Sequence, residues 1–279
     1  MSRVGQMGTK PNAAVPERSP SALKQCCAAA YDNGAAKLLL GESFHPGGTK
    51  LTERLGEILE LTPRSRVLDV AAGNGTSAIF LANRFGCEIV GVDYSRRNVE
   101  EAEATASANG LGRKVSFQWA DAEQLPFPND SFDAIICECA FCIFPNKQAA
   151  AHEFMRVVRP GGEVGLSDLT REAALASELN GLMAWIACIA DAQPLSGYSA
   201  LLSAANLKVR VAEVHNNVLT EFVNQIRARL LAAEVMVGLQ KLMLPQFDFK
   251  AAKAIAKDAL EAIREGKLGY AIVAATKAT

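Results

Sequence analysis

The chain is predicted to fold as an α/β protein, a doubly wound sheet of seven mostly parallel strands with helical additions at its N-terminal and C-terminal ends. Three observations predict it. From residue 66 onward, short apolar runs of the kind buried on both faces alternate with helical patterns, as parallel strands joined by helical crossovers do. A glycine turn, Gly73-Asn-Gly75, stands between the first such run and the helix after it. With 279 residues, 49% of them hydrophobic, the chain is long enough to bury roughly 75% of its unfolded surface, so the core requires no covalent staples.

Each element has its own warrant. Residues 1–20 lack periodicity and are rich in Pro, Gly and Ser, which predicts a disordered arm. Residues 21–48 read as an N-terminal helical cap. An Ala/Leu pattern around Cys26, Cys27, Tyr31 and 38–40 implies one or two short helices ending at Gly41, and Gly41-Glu-Ser-Phe-His-Pro-Gly-Gly48 is a loop by its Pro and Gly content. The core, 49–215, opens with a helix capped by Thr49 or Thr52, carrying Leu51, Leu55, Ile58 and Leu59 and ended by Pro63. Strands follow at 67–70, 88–93, 115–119, 132–137 and 162–167, with helices at 76–85, 95–109 and 147–158. Then come helices at 173–190 and 198–205 and a strand at 208–214. Residues 216–279 add a helical stretch around 220–243, a helix at 250–265 and a last strand at 270–274. Leu230, Leu231, Val235, Leu239 and Leu242 form an apolar stripe suited either to covering a pocket or to pairing subunits, so monomer and dimer both stay open.

Composition excludes several function classes. Lys and Arg number 29 against 30 Asp and Glu, for a net charge of −1, and no basic block exists to neutralise a nucleic-acid backbone. The longest apolar run, 182–190, is about half of the roughly 18 residues a membrane span needs. No targeting segment is visible, which predicts a cytoplasmic address in which thiols stay reduced. Seven cysteines in that setting are buried small hydrophobes, ligands for something thiophilic, or nucleophiles, and the odd count weighs against a disulfide framework.

The glycine turn bears on a ligand. Gly73 and Gly75 let the backbone pass close to a bound group, and the helix after them offers free N–H donors. Asp93, at the end of the second strand, is placed to accept bonds from both hydroxyls of a ribose. The alternative is a tight strand-to-helix turn with no ligand. A dinucleotide turn reads G-x-G-x-x-G, whereas Gly73-Asn-Gly75-Thr-Ser-Ala78 lacks the third glycine and is preceded by Asp69. In these residues the sequence resembles the class I S-adenosylmethionine-dependent methyltransferases. Asp69, Gly73 and Gly75 match their first motif, Asp93 the acidic residue of the second strand, and Asp121-Ala122 the adenine-contacting pair after the third. Phe132-Asp133-Ala-Ile-Ile136 and the turn Arg159-Pro-Gly-Gly162 look like the surroundings of the fourth and fifth strands. The resemblance covers about 49–170. It implies a Rossmann-like sheet whose last strand inserts antiparallel between the fifth and sixth. It also implies S-adenosylmethionine as cofactor, bound by Asp69, Ala71, Gly73, Gly75, Asp93, Tyr94, Asp121, Ala122 and Glu138, the last near substrate or the methionine amino group.

The acceptor is read from the carboxyl end of the fourth strand, Cys137-Glu-Cys139-Ala-Phe-Cys142. If the strand runs that far, alternation places Cys137 and Cys139 on one face and Glu138 on the other. An oxygen or nitrogen acceptor calls for a general base such as His or Asp; thiols suit a softer centre. The segment from Asp133 to Lys147 resembles that of arsenite methyltransferases, with Cys139 in the place of a metalloid-binding cysteine. Trp185-Ile-Ala-Cys188 is similar to that family's second substrate cysteine. The family's third cysteine, ahead of the first strand, has no counterpart between Ala28 and Gly86, which leaves Cys26 or Cys27. The resemblance implies methyl transfer to trivalent arsenic, a thiophilic substrate held by Cys139 and Cys188 whose own lone pair attacks the methyl carbon. It brings arsenic detoxification and a thiol reductant as partner, with neither nucleic acid nor membrane.

Two rivals stand beside it: a methyltransferase for a small organic acceptor such as a quinone or sterol, and a non-catalytic metalloid sensor. Cys87 reads as core, and Cys137 and Cys142 stay open. Cys-x-Cys-x-x-Cys also suggests zinc but lacks the paired Cys-x-x-Cys knuckles of structural sites. His45 either contacts substrate or caps a turn, Trp185, Phe141 and Phe144 are core or pocket wall, and Glu123 and Asp130 read as solvated loop.

Overall fold

The apolar runs pair into one sheet, and helices connect its parallel strands. In a computed structural model describing residues 19–31, 38–41, 43–175, 179, 187–244 and 247–279, the strands are β1 (Arg66–Val70), β2 (Glu88–Asp93), β3 (Val115–Trp119), β4 (Phe132–Glu138), β5 (Val158–Arg171), β6 (Leu207–Val214) and β7 (Leu268–Lys277). They form one sheet in the order β3-β2-β1-β4-β5-β7-β6. The first five run parallel. β7 lies antiparallel to both β5 and β6, as the resemblance implied.

The helices are α1 (Pro20–Tyr31), α2 (Gly48–Ile58), α3 (Thr76–Phe85), α4 (Arg96–Ala108), α5 (Lys147–Val157), α6 (Leu195–Ala204), α7 (Asn216–Gly238) and α8 (Phe249–Arg264). Central strands buried on both faces supply the core: Val67, Leu68, Val70, Ile135 and Ile136 are wholly inaccessible. α2 adds Leu51, Leu55 and Ile58, and its Leu55 sits where a side chain on Gly165 of β5 would stand, 2.7 Å from the position a Cβ would take. The strand order reverses between β1 and β4, and the crevice at that switch point, beyond the strands' carboxyl ends, is where open α/β sheets bind ligands.

Several sequence expectations are corrected. α2 is not capped by Thr49 or Thr52: its N-cap is Gly47, in the left-handed conformation with no side-chain bond. β4 stops at Glu138, and Cys139 has φ 51°, so alternation fails at the residue where it was needed. Cys137 is wholly buried in the core, while Glu138 and Cys139 both face the crevice. The expected helix 173–190 falls largely outside the described residues, Trp185 with it, but its C-terminal end, 187–190, is turn and not helix. The arm expected over 1–20 lies outside them up to residue 18, and α1 begins at Pro20. In the stripe on α7 only Leu230 is buried; Leu231, Val235 and Leu239 are more than half exposed, so the stripe does not cover the crevice. No described helix is long and apolar enough to cross a membrane.

Candidate active site

At the switch point a cavity is floored by the turn after β1 and the ends of β2 and β4, and roofed by α1 and the loop 43–47. The turn works through two different glycines. Gly73 lines the cavity at φ 54°, with Phe44 of the roof 3.3 Å from where its Cβ would be. Gly75 does not line it, contrary to the expectation. A Cβ on Gly75 would stand 2.6 Å from Phe117 and 2.9 Å from Ala102, at φ 79°, so this glycine serves helix-to-sheet packing.

Asp93 lines the cavity and accepts bonds from the Gly73 N–H (2.8 Å), the Ser95 N–H (2.8 Å) and the Asn98 amide (3.3 Å). Its carboxylate is thereby fixed at the end of β2. Tyr94 and Ala122 line the cavity too, and the carbonyl of Tyr94 accepts a bond from the Trp119 indole at 2.8 Å. Asp121 is bound by Lys24 of α1 at 2.9 and 2.8 Å, and the same ammonium reaches Glu123 at 2.6 Å. Glu123 is therefore not solvated loop: its carboxylate is mostly buried and also accepts from the Asn146 N–H. Asp130 is half exposed, beside Lys277.

Asp69 is 2% exposed, and its Oδ2 is a buried oxygen with no hydrogen-bond partner. Burial, and then the charges of Glu138 and Asp93, push its carboxyl well above the usual carboxylate range. An orphaned acid opening on a cavity is a place for a donor or cation to bind. Across from it, Glu138 accepts bonds from Ser77 (2.6 Å), Thr52 (3.1 Å) and Ser167 (3.3 Å). His45, which sequence left between substrate contact and turn cap, lines the cavity with its Nε2 3.6 Å from Glu138. Ala71 lines the cavity at φ 59°.

The cysteines divide by place. Cys27 and Cys139 line the cavity, and Cys26 does not. Cys188 is buried directly behind Cys139, its Sγ 3.2 Å from the Cys139 carbonyl oxygen. The Tyr31 phenol, one turn along α1 from Cys27, lies 3.7 Å from Cys188 Sγ. Hydrogen bonds from Cys139, then Cys142, then Tyr31 hold the Cys188 thiol well below the usual range against the opposing effect of burial, with the charge of Lys147 assisting. The carbonyl contact favours the Cys188 thiol, whereas these donors favour its thiolate. Its bond to Cys188, then burial, raises Cys139, and burial raises Cys142. Cys142 was open in the sequence; its place beside Cys188 had no signal beyond residue type. Lys147 is buried, bonded to the Phe144 carbonyl at 3.1 Å and paired with Asp191, which anchors the Cys188 segment to α5. Cys87 is core, its thiol on the Leu81 carbonyl at 3.6 Å. Phe141 is core and Phe144 is wall. Among the described residues no group of three His, Cys, Asp or Glu is arranged to hold a metal ion.

Residues 67–162 match the family model described as a methyltransferase domain. Methyltransferase GfsG of Streptomyces halstedii is 32% identical over 163 residues, 57% of this chain and 59% of the relative. The 27-O-demethylrifamycin SV methyltransferase of Amycolatopsis mediterranei is 33% identical over 142 residues, 47% of this chain and 52% of the relative. The matched stretch thus spans little more than half the length of these relatives. Among solved structures, phosphoethanolamine N-methyltransferase 2 of Haemonchus contortus, in complex with S-adenosylhomocysteine, aligns with a TM-score of 0.78 at 19% identity, over 95% of this chain and 62% of that one.

Proposed function

From the class I methyltransferase domain that residues 67–162 form, we propose that the chain transfers a methyl group from S-adenosylmethionine to trivalent arsenic held by the thiolates of Cys139 and Cys188. The cavity fits that cofactor on its own chemistry. Asp93 is held at the end of β2 for a ribose, Asp121 and Ala122 stand after β3 for an adenine, and the orphaned Asp69 with Glu138 faces a cationic group. When bound, S-adenosylmethionine supplies an electrophilic methyl carbon on a sulfonium. The chain's own part is then to hold an acceptor in line and keep water out.

One observation carries the choice of acceptor. Cys27 of α1 and Cys139 after β4 line the cavity, and Cys188 of the turn 187–190 is buried directly behind Cys139. Two of them, Cys139 and Cys188, hold left-handed backbone at φ 51° and 63°. Non-glycine residues adopt that conformation at a cost of about 1–3 kcal/mol, and such strain concentrates at functional sites. Soft trivalent arsenic prefers thiolates and brings its own lone pair, so no side chain has to remove a proton from the acceptor. The As–C bond would form as the sulfonium S–CH3 bond breaks, S-adenosylhomocysteine would leave, and a thiol reductant such as glutathione would return the formally pentavalent arsenic to the trivalent state.

A second reading, an organic hydroxyl acceptor, is favoured by the relative that acts on 27-O-demethylrifamycin SV and would use the His45 and Glu138 pair as base. Product analysis by mass spectrometry, with arsenite plus glutathione or with a panel of organic acceptors, separates the two. The arsenic reading expects methylarsenic products from the parent and loss of at least about 100-fold in Cys139→Ser and Cys188→Ser. Unchanged methylation of arsenite by the serine variants, or turnover of organic acceptors alone, overturns it. Tight thiol-dependent arsenite binding without product would leave a sensor.

A further inference from the structure

We propose that a second cavity, between residues 40–50 and α7, is a site for a thiol tripeptide of the glutathione type, its two carboxylates meeting Arg229 and Lys50 and its ammonium meeting Glu221. The inference rests on the arsenic reading above, which needs a thiol reductant, and gives that reductant a place. No residue of the matched domain at 67–162 lines this cavity.

The helical repeat builds one wall. Positions 218, 221, 222, 225 and 229 fall on a single face of α7, and that face brings Glu221 and Arg229 to the cavity. The chain 40–50 builds the other wall, with Lys50 at its end. Arg229 is fixed against that chain: its Nη1 donates to the Leu39 carbonyl at 3.0 Å, and its guanidinium lies over Gly41, 2.9 Å from where a Cβ would stand. Gly41 has φ 90°, so both the close approach and the backbone call for glycine. The Leu39 carbonyl takes one of the five N–H donors of the guanidinium. Among the described residues neither Arg229 nor Lys50 has an acid partner, and Glu221 has no basic one.

Two cations and one acid without partners complement a ligand that carries two anionic groups and one ammonium. The cavity holds about 650 Å³, within the range of roughly 300–1,000 Å³ that small organic ligands occupy. Glutathione has this set of charges, and its thiol meets the other need of the reaction. Each methyl transfer leaves arsenic two electrons short of the trivalent state, and two thiols supply them by joining in a disulfide and releasing two protons. His45 stands in the wall common to both cavities, its Nε2 3.6 Å from Glu138, the residue before Cys139. A thiol held here adjoins the arsenic site at a raised effective concentration.

The test is calorimetric titration of the full chain with two ligands. S-methylglutathione keeps the charges of the tripeptide but has no thiol to bind or reduce arsenic; citrate has carboxylates and no ammonium. The parent is expected to bind S-methylglutathione at least about tenfold more tightly than citrate. Arg229→Gln is expected to weaken S-methylglutathione about tenfold, and Lys50→Gln, at a more exposed and screened position, about threefold. Unchanged S-adenosylmethionine affinity in both is the control for folding. Glu221→Gln is expected to narrow the preference over citrate to under about threefold. In arsenite methylation, the half-saturating concentration of glutathione is expected to rise about tenfold in Arg229→Gln. A parent that binds S-adenosylmethionine but not S-methylglutathione overturns the site, as does a folded Arg229→Gln protein that binds S-methylglutathione like the parent. Citrate bound as tightly as S-methylglutathione overturns it too, the mark of a groove for any anion. S-methylglutathione bound as expected by a chain that makes no methylarsenic leaves the site standing and refutes the arsenic reading instead.

Discussion

The Sγ of Cys188 lies 3.2 Å from the carbonyl oxygen of Cys139, and both residues adopt left-handed backbone. The two strained turns lock one cysteine behind the other, 49 positions apart in the chain. A Cβ in this conformation costs roughly 1–2 kcal/mol, and glycine escapes it. Cys139→Gly and Cys188→Gly are therefore each expected to be about 1 kcal/mol more stable than the matching alanine variants in urea unfolding, although both lose the thiol. Alanine variants as stable as the glycine ones would show that the backbone strain is not set by these residues.

The two glycines of the turn after β1 are expected to fail differently. Gly75→Ala brings a methyl group to 2.6 Å from Phe117 at a positive φ, adding overpacking to backbone strain. A loss of about 3 kcal/mol is expected, with Tm falling by about 6 °C or more. Gly73→Ala meets only Phe44, at 3.3 Å, so a smaller stability loss and a larger loss of S-adenosylhomocysteine affinity are expected. Thermal unfolding beside calorimetry separates them; equal profiles for the two variants would contradict the division.

The parts of this protein legible in its sequence are those written in residue type and period. The apolar runs of β1, β2 and β4 and the residues of the turn specify the switch point, because burial on both faces leaves few polar choices. Asp93 was legible from its distance to the turn. The rest depended on tertiary contact. Lys24 on α1 looks like any solvated lysine, yet it meets Asp121 and Glu123 from 97 and 99 residues away. Nothing in a cysteine announces a positive φ, so the alternation argument misplaced Cys137 relative to Cys139. His45 sits in a loop without periodicity, and its place in the cavity depends on β4 and α3, which bring Glu138 and Ser77 to it.

Lys24 fastens α1 to the cavity rim. Burial alone would pull its ammonium down, but the bonds to Asp121 and Glu123 outweigh that and raise it above its usual value. A lysine raised in the folded state adds stability that is complete below its unfolded value near 10.4 and is lost as pH rises through the folded one. Lys24→Met is expected to lower the protection of 20–31 against hydrogen exchange about fivefold at pH 7, a screened effect of order 1 kcal/mol. Parent and variant are expected to converge as pH rises through the folded-state value of Lys24. Unchanged protection at pH 7 would mean that α1 is held by its apolar face alone.

Asp168 ends the thiol cluster on the sheet side and gives it a pH dependence. Its Oδ2 accepts from the Cys142 N–H at 2.9 Å and its Oδ1 from the Leu169 N–H at 2.8 Å. Burial, followed by the charge of Cys188, pushes its carboxyl up to about 7 in spite of those bonds. An unfolded Asp titrates near 3.9, so the folded chain holds this proton more tightly. The resulting stability is complete below about pH 4 and is lost as pH rises toward 7. Asp168→Asn removes the titration. Between pH 5 and pH 8 the variant is expected to gain roughly 2 to 3 kcal/mol on the parent in urea unfolding. A constant difference across that window would place the proton elsewhere, on the cysteines that Asp168 faces.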